Sequence, residues 1–131
     1  MNKERKSGIL LHPTSLPGKY GIGELGKEAY DFIDQLSYME QSYWQILPLG
    51  PTGYGNSPYQ SLSSFAGNSL MISLDGLIED GLIDDEFIGE IPDFSTDHVD
   101  FAWVLPYRKD RLTYAASLFK LHSSRALKKE F

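Results

Sequence analysis

Residues 50–68, GPTGYGNSPYQSLSSFAGN, form a segment whose polar side chains are all uncharged. The charge-free window extends over residues 41–74. A tyrosine combines an apolar ring face with a hydroxyl, while amides and hydroxyls donate and accept hydrogen bonds without charge. These residue types together favour a neutral ligand that carries many hydroxyl groups, such as a sugar.

The candidate ligand contacts fall into three kinds. Two tyrosines supply ring faces, four polar side chains supply hydrogen bonds, and two glycines let backbone approach a ligand closely. They are, in that order, Tyr54 and Tyr59; Asn56, Ser57, Gln60 and Ser61; Gly53 and Gly55. The alternative interpretation is a structural loop that packs on itself, although loops of this length are uncommon unless they are functional or disordered.

Gly21, Gly23 and Gly26 fit the spacing G-x-G-x-x-G and precede a predicted helix. A dinucleotide-binding turn follows its strand directly and has an acidic residue about 20 positions later. Here a long loop with two prolines separates the glycines from the preceding apolar run, and no Asp or Glu lies about 20 residues after Gly26. We therefore reject a dinucleotide site.

The carboxylates and histidines are interpreted as structural. Four acidic residues are predicted to lie on the solvent face of the first helix, where Asp and Glu are usually exposed: Glu24, Glu28, Asp31 and Asp34. His12 ends the first strand and is expected to be hydrogen-bonded, while His98 and His122 have no partners at metal-ligand spacing. The sequence thus predicts no metal site and no cofactor.

Composition bounds the class of protein. The 131 residues, 41% of them hydrophobic, are enough for a core, and the net charge of -6 argues against nucleic-acid binding. The absence of cysteine fits a reducing compartment. Without a signal-peptide pattern or a run of about 20 apolar residues, we predict a cytoplasmic protein with no membrane partner.

The chain reads as α/β. Residues 8–11, GILL, and 43–49, YWQILPL, resemble strands buried on both faces, and apolar spacing predicts a helix over residues 25–39. A strand, a helix and a strand predict a βαβ unit with parallel strands and a right-handed crossover. Residues 69–74 resemble a further extended piece.

The second half is predicted to be helical. Residues 75–100 hold ten acidic residues and no Lys or Arg, which suggests one or two short surface helices. A longer helix is expected to open near Pro106 and to be still unfinished at Phe131, so the chain is expected to be incomplete. We divide it into residues 1–74, with the first β/α units and the substrate loop, and residues 75–131, an acidic helical insertion and the following helix.

Three stretches closely resemble the N-terminal part of the amylomaltase family, the 4-α-glucanotransferases. They are SGILLHPTSLPGKYGIGELGKEAYDFIDQL, YWQILPLGPTGYGNSPYQSLSSFAGN and VDFAWVLPYRKDRL. Two departures are visible: Asn56 stands where an Asp is usual, and Ser69 where a Pro often follows the Asn.

The resemblance implies the N-terminal part of a (β/α)8 barrel with insertions, acting on α-1,4-glucans such as maltooligosaccharides. It implies a retaining mechanism with two carboxyl groups about 5 to 5.5 Å apart, and it puts all catalytic acids downstream of this chain, so none is assigned here. It matches Ser57 and Tyr59 to donor-sugar positions, with Asn56 beside them, and Tyr54 to an additional glucan-binding surface.

Less than half of a barrel, which typically needs about 250 residues, is present. We therefore expect the chain alone to be inactive, and either to self-associate through uncovered strand edges or to stay loosely packed. The alternatives are a non-catalytic glucan-binding module and a structural fragment without a ligand.

Overall fold

A computed structural model describes residues 5–63 and 65–122. The chain divides into two compact units, one formed by residues 1–18 and 22–72 and the other by residues 19–21 and 73–131. The C-terminal stretch in which the last helix was expected to be unfinished lies outside the described residues. No helix in the described ranges is long and apolar enough to cross a membrane, and the cytoplasmic location stays a prediction.

The first unit contains the predicted βαβ arrangement. Strand β1 is Gly8–Leu10, helix α1 is Lys27–Tyr38 and strand β2 is Tyr43–Gln45. The two strands pair in parallel, with Ile9 opposite Trp44. The Trp44 indole donates to the Leu11 carbonyl at 2.8 Å and meets the Phe32 ring edge-on at 5.0 Å, which packs α1 against β2.

The strands are shorter and more exposed than predicted. Every residue of β1 and both ends of β2 are exposed, so the expectation of strands buried on both faces is wrong. The apolar side of the predicted helix is also only partly buried. Ala29 and Leu36 are buried, whereas Ile33 and Met39 are exposed. In the described part of the chain the sheet has these two strands, which leaves apolar surface uncovered.

The second unit is helical. It contains α2 (Leu74–Glu79), α3 (Asp85–Ile88) and α4 (Phe101–His122), which confirms short helices in the acidic block. Their core is built from Tyr20, Leu74, Ile83, Ile88, Tyr107 and Ala115. Ser73 and Asp84 cap α2 and α3 by accepting hydrogen bonds from backbone amides three residues later.

Two boundary predictions are wrong. Only Ile72 and Ser73 of residues 69–74 are extended, because Asn68 accepts a hydrogen bond from the Leu70 amide and starts a 3-10 turn over Ser69–Met71, and α2 begins at Leu74. Helix α4 opens at Phe101 rather than near Pro106, since the Asp100 carboxylate accepts from the Ala102 amide at 3.0 Å. Pro106 then lies at the sixth position of the helix, where it has no amide to donate to the Ala102 carbonyl.

Candidate substrate-binding site

The charge-free segment is a closed loop in the first unit. It leaves the end of the β2 region, and the Asn68 amide donates to the Leu49 carbonyl at 3.0 Å, which joins its two ends. Inside it, Thr52 and Ser61 form an antiparallel bridge and the Gly53 amide donates to the Gln60 carbonyl at 2.9 Å. The segment is therefore a hairpin-like loop with its own hydrogen bonds.

The tip of the loop holds the residues singled out from the sequence. Tyr54–Asn56 form a short 3-10 turn in which the Asn56 amide donates to the Gly53 carbonyl at 3.2 Å. The Ser57 carbonyl accepts from the Gln60 amide at 3.0 Å. Tyr54, Asn56, Ser57 and Tyr59 are thus held within two consecutive short turns of backbone.

Both tyrosines at the tip are open to solvent. Tyr54 is 98% exposed and Tyr59 is 73% exposed, whereas Asn56 and Ser57 are half-buried. Exposed aromatic rings beside partly buried amide and hydroxyl groups give an apolar surface bordered by hydrogen-bonding groups. Such a surface suits a ring whose one face is apolar and whose rim carries hydroxyls.

Other predicted contacts are used by the loop itself. A Cβ added at Gly53 would lie 2.9 Å from the Gln60 carbonyl oxygen, so the close approach made by this glycine is to its own chain. The Ser61 hydroxyl donates to the Ser63 carbonyl at 2.6 Å. We assign Gly53 and Ser61 to loop geometry rather than to ligand contact.

Two further apolar residues of the loop, not singled out from the sequence, are exposed. Leu62 is 82% exposed and Phe65 is fully exposed. Their signal is an apolar side chain in a segment with neither helical nor strand periodicity, since such a residue has no core face to join. They extend the apolar surface of the loop.

The histidine and carboxylate predictions have mixed outcomes. His12 is buried, as expected for a structural residue, with its Nδ1 2.7 Å from the Thr14 hydroxyl. Glu24 is 3% exposed and precedes α1, so its placement on a solvent face is wrong. Asp31 does lie on the exposed face of α1, in an ion pair with Lys27. Across the described residues, no group of His, Asp and Glu is arranged to hold a metal ion.

Comparison with known proteins gives one consistent result. A family model described as 4-alpha-glucanotransferase matches residues 11–131. The chain is 47% identical over 131 residues to a 4-alpha-glucanotransferase of Synechocystis, covering 100% of this chain and 26% of the relative. It is 51% identical over 114 residues to a 4-alpha-glucanotransferase of Thermus thermophilus, covering 84% of this chain and 22% of the relative.

A solved structure gives the same assignment. The structure of amylomaltase from Streptococcus agalactiae in complex with acarbose matches this chain with a TM-score of 0.87 and 42% identity. The match covers 96% of this chain and 26% of the amylomaltase chain. The chain thus spans about a quarter of the length of these relatives. Because the match runs through the candidate loop and over nearly all of the sequence, the chain belongs to the 4-alpha-glucanotransferase family.

Proposed function

We propose that this chain is part of a 4-α-glucanotransferase that transfers α-1,4-glucan segments between maltooligosaccharides. The observation that carries the proposal is the uncharged loop at residues 50–68, whose Tyr54 and Tyr59 rings face solvent in a chain of this family. A neutral sugar ring can stack on such rings while amides and hydroxyls bind its hydroxyl groups. Acarbose in the related amylomaltase is a ligand of that protein, and it supports a sugar here.

In this proposal the chain supplies binding and not proton transfer. Tyr54, Asn56, Ser57 and Tyr59 form the glucan-binding group, and the catalytic carboxylates of a retaining double displacement belong to the rest of a (β/α)8 barrel. Residues 1–74 carry the first β/α units and the loop, and residues 75–131 carry the acidic helices. No cofactor is required, and the 131-residue chain alone is expected to be inactive.

Catalysis by the proposed enzyme depends on holding the sugar in the reactive orientation. Orientation can supply several kcal/mol of barrier lowering. Loss of the Tyr59 ring is therefore expected to lower turnover although that ring takes no part in bond making.

The test is a chimera in which residues 1–131 replace the matching segment of the Synechocystis relative. The parent chimera should release glucose from maltotriose as it disproportionates the sugar. Tyr59→Ala is expected to lower this rate about tenfold or more. Tyr38→Ala is the matched control, because Tyr38 is 91% exposed but lies on α1 outside the loop, and it should leave the rate unchanged. Equal rates for the two variants would reject the positioning role.

A second candidate is a glucan-binding module without enzymatic activity. It is favoured by the hydrogen bonds that close the loop within this chain, which give the binding group a defined shape by itself. Titrating maltoheptaose into the 131-residue chain and following Trp44 and Trp103 fluorescence tests it. Saturable binding together with an inactive parent chimera would favour the module over the enzyme.

A further inference from the structure

Two consecutive residues at the tip of the loop have left-handed backbone. Gly55 has φ 77° and ψ 7°, and Asn56 has φ 54°. Positive φ is costly for most L residues and least so for glycine, followed by Asn and Asp. Within the described ranges, Glu40 is the other non-glycine residue with positive φ, so this conformation is uncommon in the chain.

At Gly55 the backbone conformation, and not steric crowding, disfavours a side chain. A Cβ added at Gly55 would meet no atom within 4 Å, so only the φ angle opposes a side chain there. Gly67 lies in the same segment with equally open space and without a positive φ. The pair gives a matched comparison, since alanine at either position adds the same atoms to open space.

The left-handed pair connects the two halves of the proposed binding group. Tyr54 precedes it, and Ser57 and Tyr59 follow it. Because Tyr54 is 98% exposed, side-chain packing does little to place its ring, and the direction of the backbone decides where the ring lies. A right-handed or extended conformation at positions 55 and 56 would turn the chain differently and separate the Tyr54 ring from the Ser57–Tyr59 side of the tip.

We propose that Gly55 and Asn56 are positioning residues whose left-handed turn presents Tyr54 on one side, to an additional glucan-binding surface, and Ser57 and Tyr59 on the other side, to the donor sugar. The backbone conformation of Asn56, in addition to any contact of its carboxamide with the sugar, sets where its neighbours in the binding group lie. The proposal rests on the proposed function for its ligand and on the turn for its geometry.

Catalysis by the chimera described above separates the two roles of Asn56. Gly55→Ala is expected to lower kcat/KM for maltotriose roughly fivefold to thirtyfold, the population penalty of a left-handed L residue. Asn56→Ala should lower it less, because Asn tolerates this conformation better than Ala but less well than Gly. The loss should appear mainly in KM, because the turn assembles a binding surface. Asn56→Gly restores the permitted conformation without the carboxamide and should raise kcat/KM above that of Asn56→Ala, while Gly67→Ala should match the parent.

The outcomes that overturn the proposal are specific. If kcat/KM is as low for Asn56→Gly as for Asn56→Ala, the effect belongs to the carboxamide and not to the backbone. If kcat/KM is the same for Gly55→Ala and Gly67→Ala, the left-handed turn has no role. An inactive parent chimera would count against the proposed function instead. The turn is then judged by NMR in the 131-residue chain, because positive φ brings the amide proton of residue 56 close to its own Hα. A strong intraresidue NOE at Asn56 supports the turn, and a weak one overturns it.

Discussion

The hydroxyl of Tyr20 links the start of α2 to the core of the second unit. It donates to the Asp75 carboxylate at 2.6 Å, and the Lys19 ammonium lies 2.7 Å from the same oxygen. The Tyr20 ring is buried and stacks on Tyr107 with a centroid distance of 6.3 Å. Tyr20→Phe would therefore keep the packing of the ring and remove one hydrogen bond to a charged group.

The expected loss follows from the surroundings of Asp75. A hydrogen bond to a charged group contributes about 1.5–3 kcal/mol, and Asp75 keeps Lys19 and is 37% exposed, so water replaces part of what is lost. We expect Tyr20→Phe to lower the free energy of unfolding by about 1.5 kcal/mol, the lower end of that range. Urea unfolding followed by helical circular dichroism measures it. Lys19→Met, which breaks an exposed ion pair, is the control and should cost less than about 1 kcal/mol.

The pH dependence of this difference checks the reasoning. Burial and the hydrogen bond to Asp75 raise the pKa of Tyr20 to about 12. The contribution of the Tyr20 hydroxyl to the free energy of unfolding is therefore complete below pH 10 and is lost as the pH rises through the raised pKa. Burial works to raise the pKa of Asp75, but hydrogen bonds from Lys19 and Tyr20 outweigh it and lower that pKa.

At acid pH, the contribution of Asp75 to stability changes in the opposite direction, because it is lost as the pH falls. Because the pKa of Asp75 is lowered from 3.8, its contribution is present above that value and disappears as the pH falls through the lowered pKa. The gap in stability between the parent chain and Tyr20→Phe should shrink at both ends of the pH range. A gap that stays constant from neutral pH into acid, or a Lys19→Met variant as destabilised as Tyr20→Phe, would refute the assignment.

Three further predictions concern the packing of the chain. Gly23→Ala should lower the free energy of unfolding by about 2–3 kcal/mol in urea unfolding, because the new Cβ would overlap the Pro13 carbonyl oxygen; Gly67→Ala, in open space, should cost less than about 0.5 kcal/mol. Arg111→Met should cost about 2 kcal/mol in the same assay, because the guanidinium donates to the Ile88 carbonyl at 2.6 and 3.2 Å; no measurable loss would contradict this. The 131-residue chain should self-associate in sedimentation velocity, since its strands are exposed; a monomer that unfolds in one sharp calorimetric transition would oppose that expectation.

The regular elements of the first unit could be predicted from the sequence because their signals are local. Helical spacing of apolar residues located α1, and short apolar runs located β1 and β2 and their parallel pairing. Burial could not be predicted this way, because it depends on what covers a face. The strands carry the residues of a buried sheet, yet they are exposed in this chain.

The wrong boundaries came from competition between local signals. Pro106 suits a first helical turn, but the Asp100 carboxylate caps the helix earlier and the loss of one backbone hydrogen bond at the proline is tolerated. Glu24 was assigned to a solvent face by helical spacing, although the helix begins three residues later at Lys27. The Asp100 cap decided the first outcome, and the start of α1 at Lys27 decided the second.

The composition of the candidate site was predictable, and its shape was not. The uncharged residues of the loop and the type of ligand they suit follow from side-chain chemistry alone. The left-handed turn at Gly55 and Asn56 does not, because these residues permit positive φ without requiring it. The hydrogen bonds that close the loop, such as that from the Gly53 amide to the Gln60 carbonyl, favour this conformation.

The grouping of residues 19–21 with residues 73–131 limits how the chain can be dissected and when its second unit can mature. A polypeptide cut between residues 72 and 73 would lose the Tyr20 ring from a core that also contains Leu74 and Tyr107. During synthesis, Tyr20 leaves the ribosome 87 residues before Tyr107, the difference between their positions in the chain. The aromatic stack between them must therefore wait until Tyr107 has been synthesised, so this core cannot close on residues 19–21 and α2 alone.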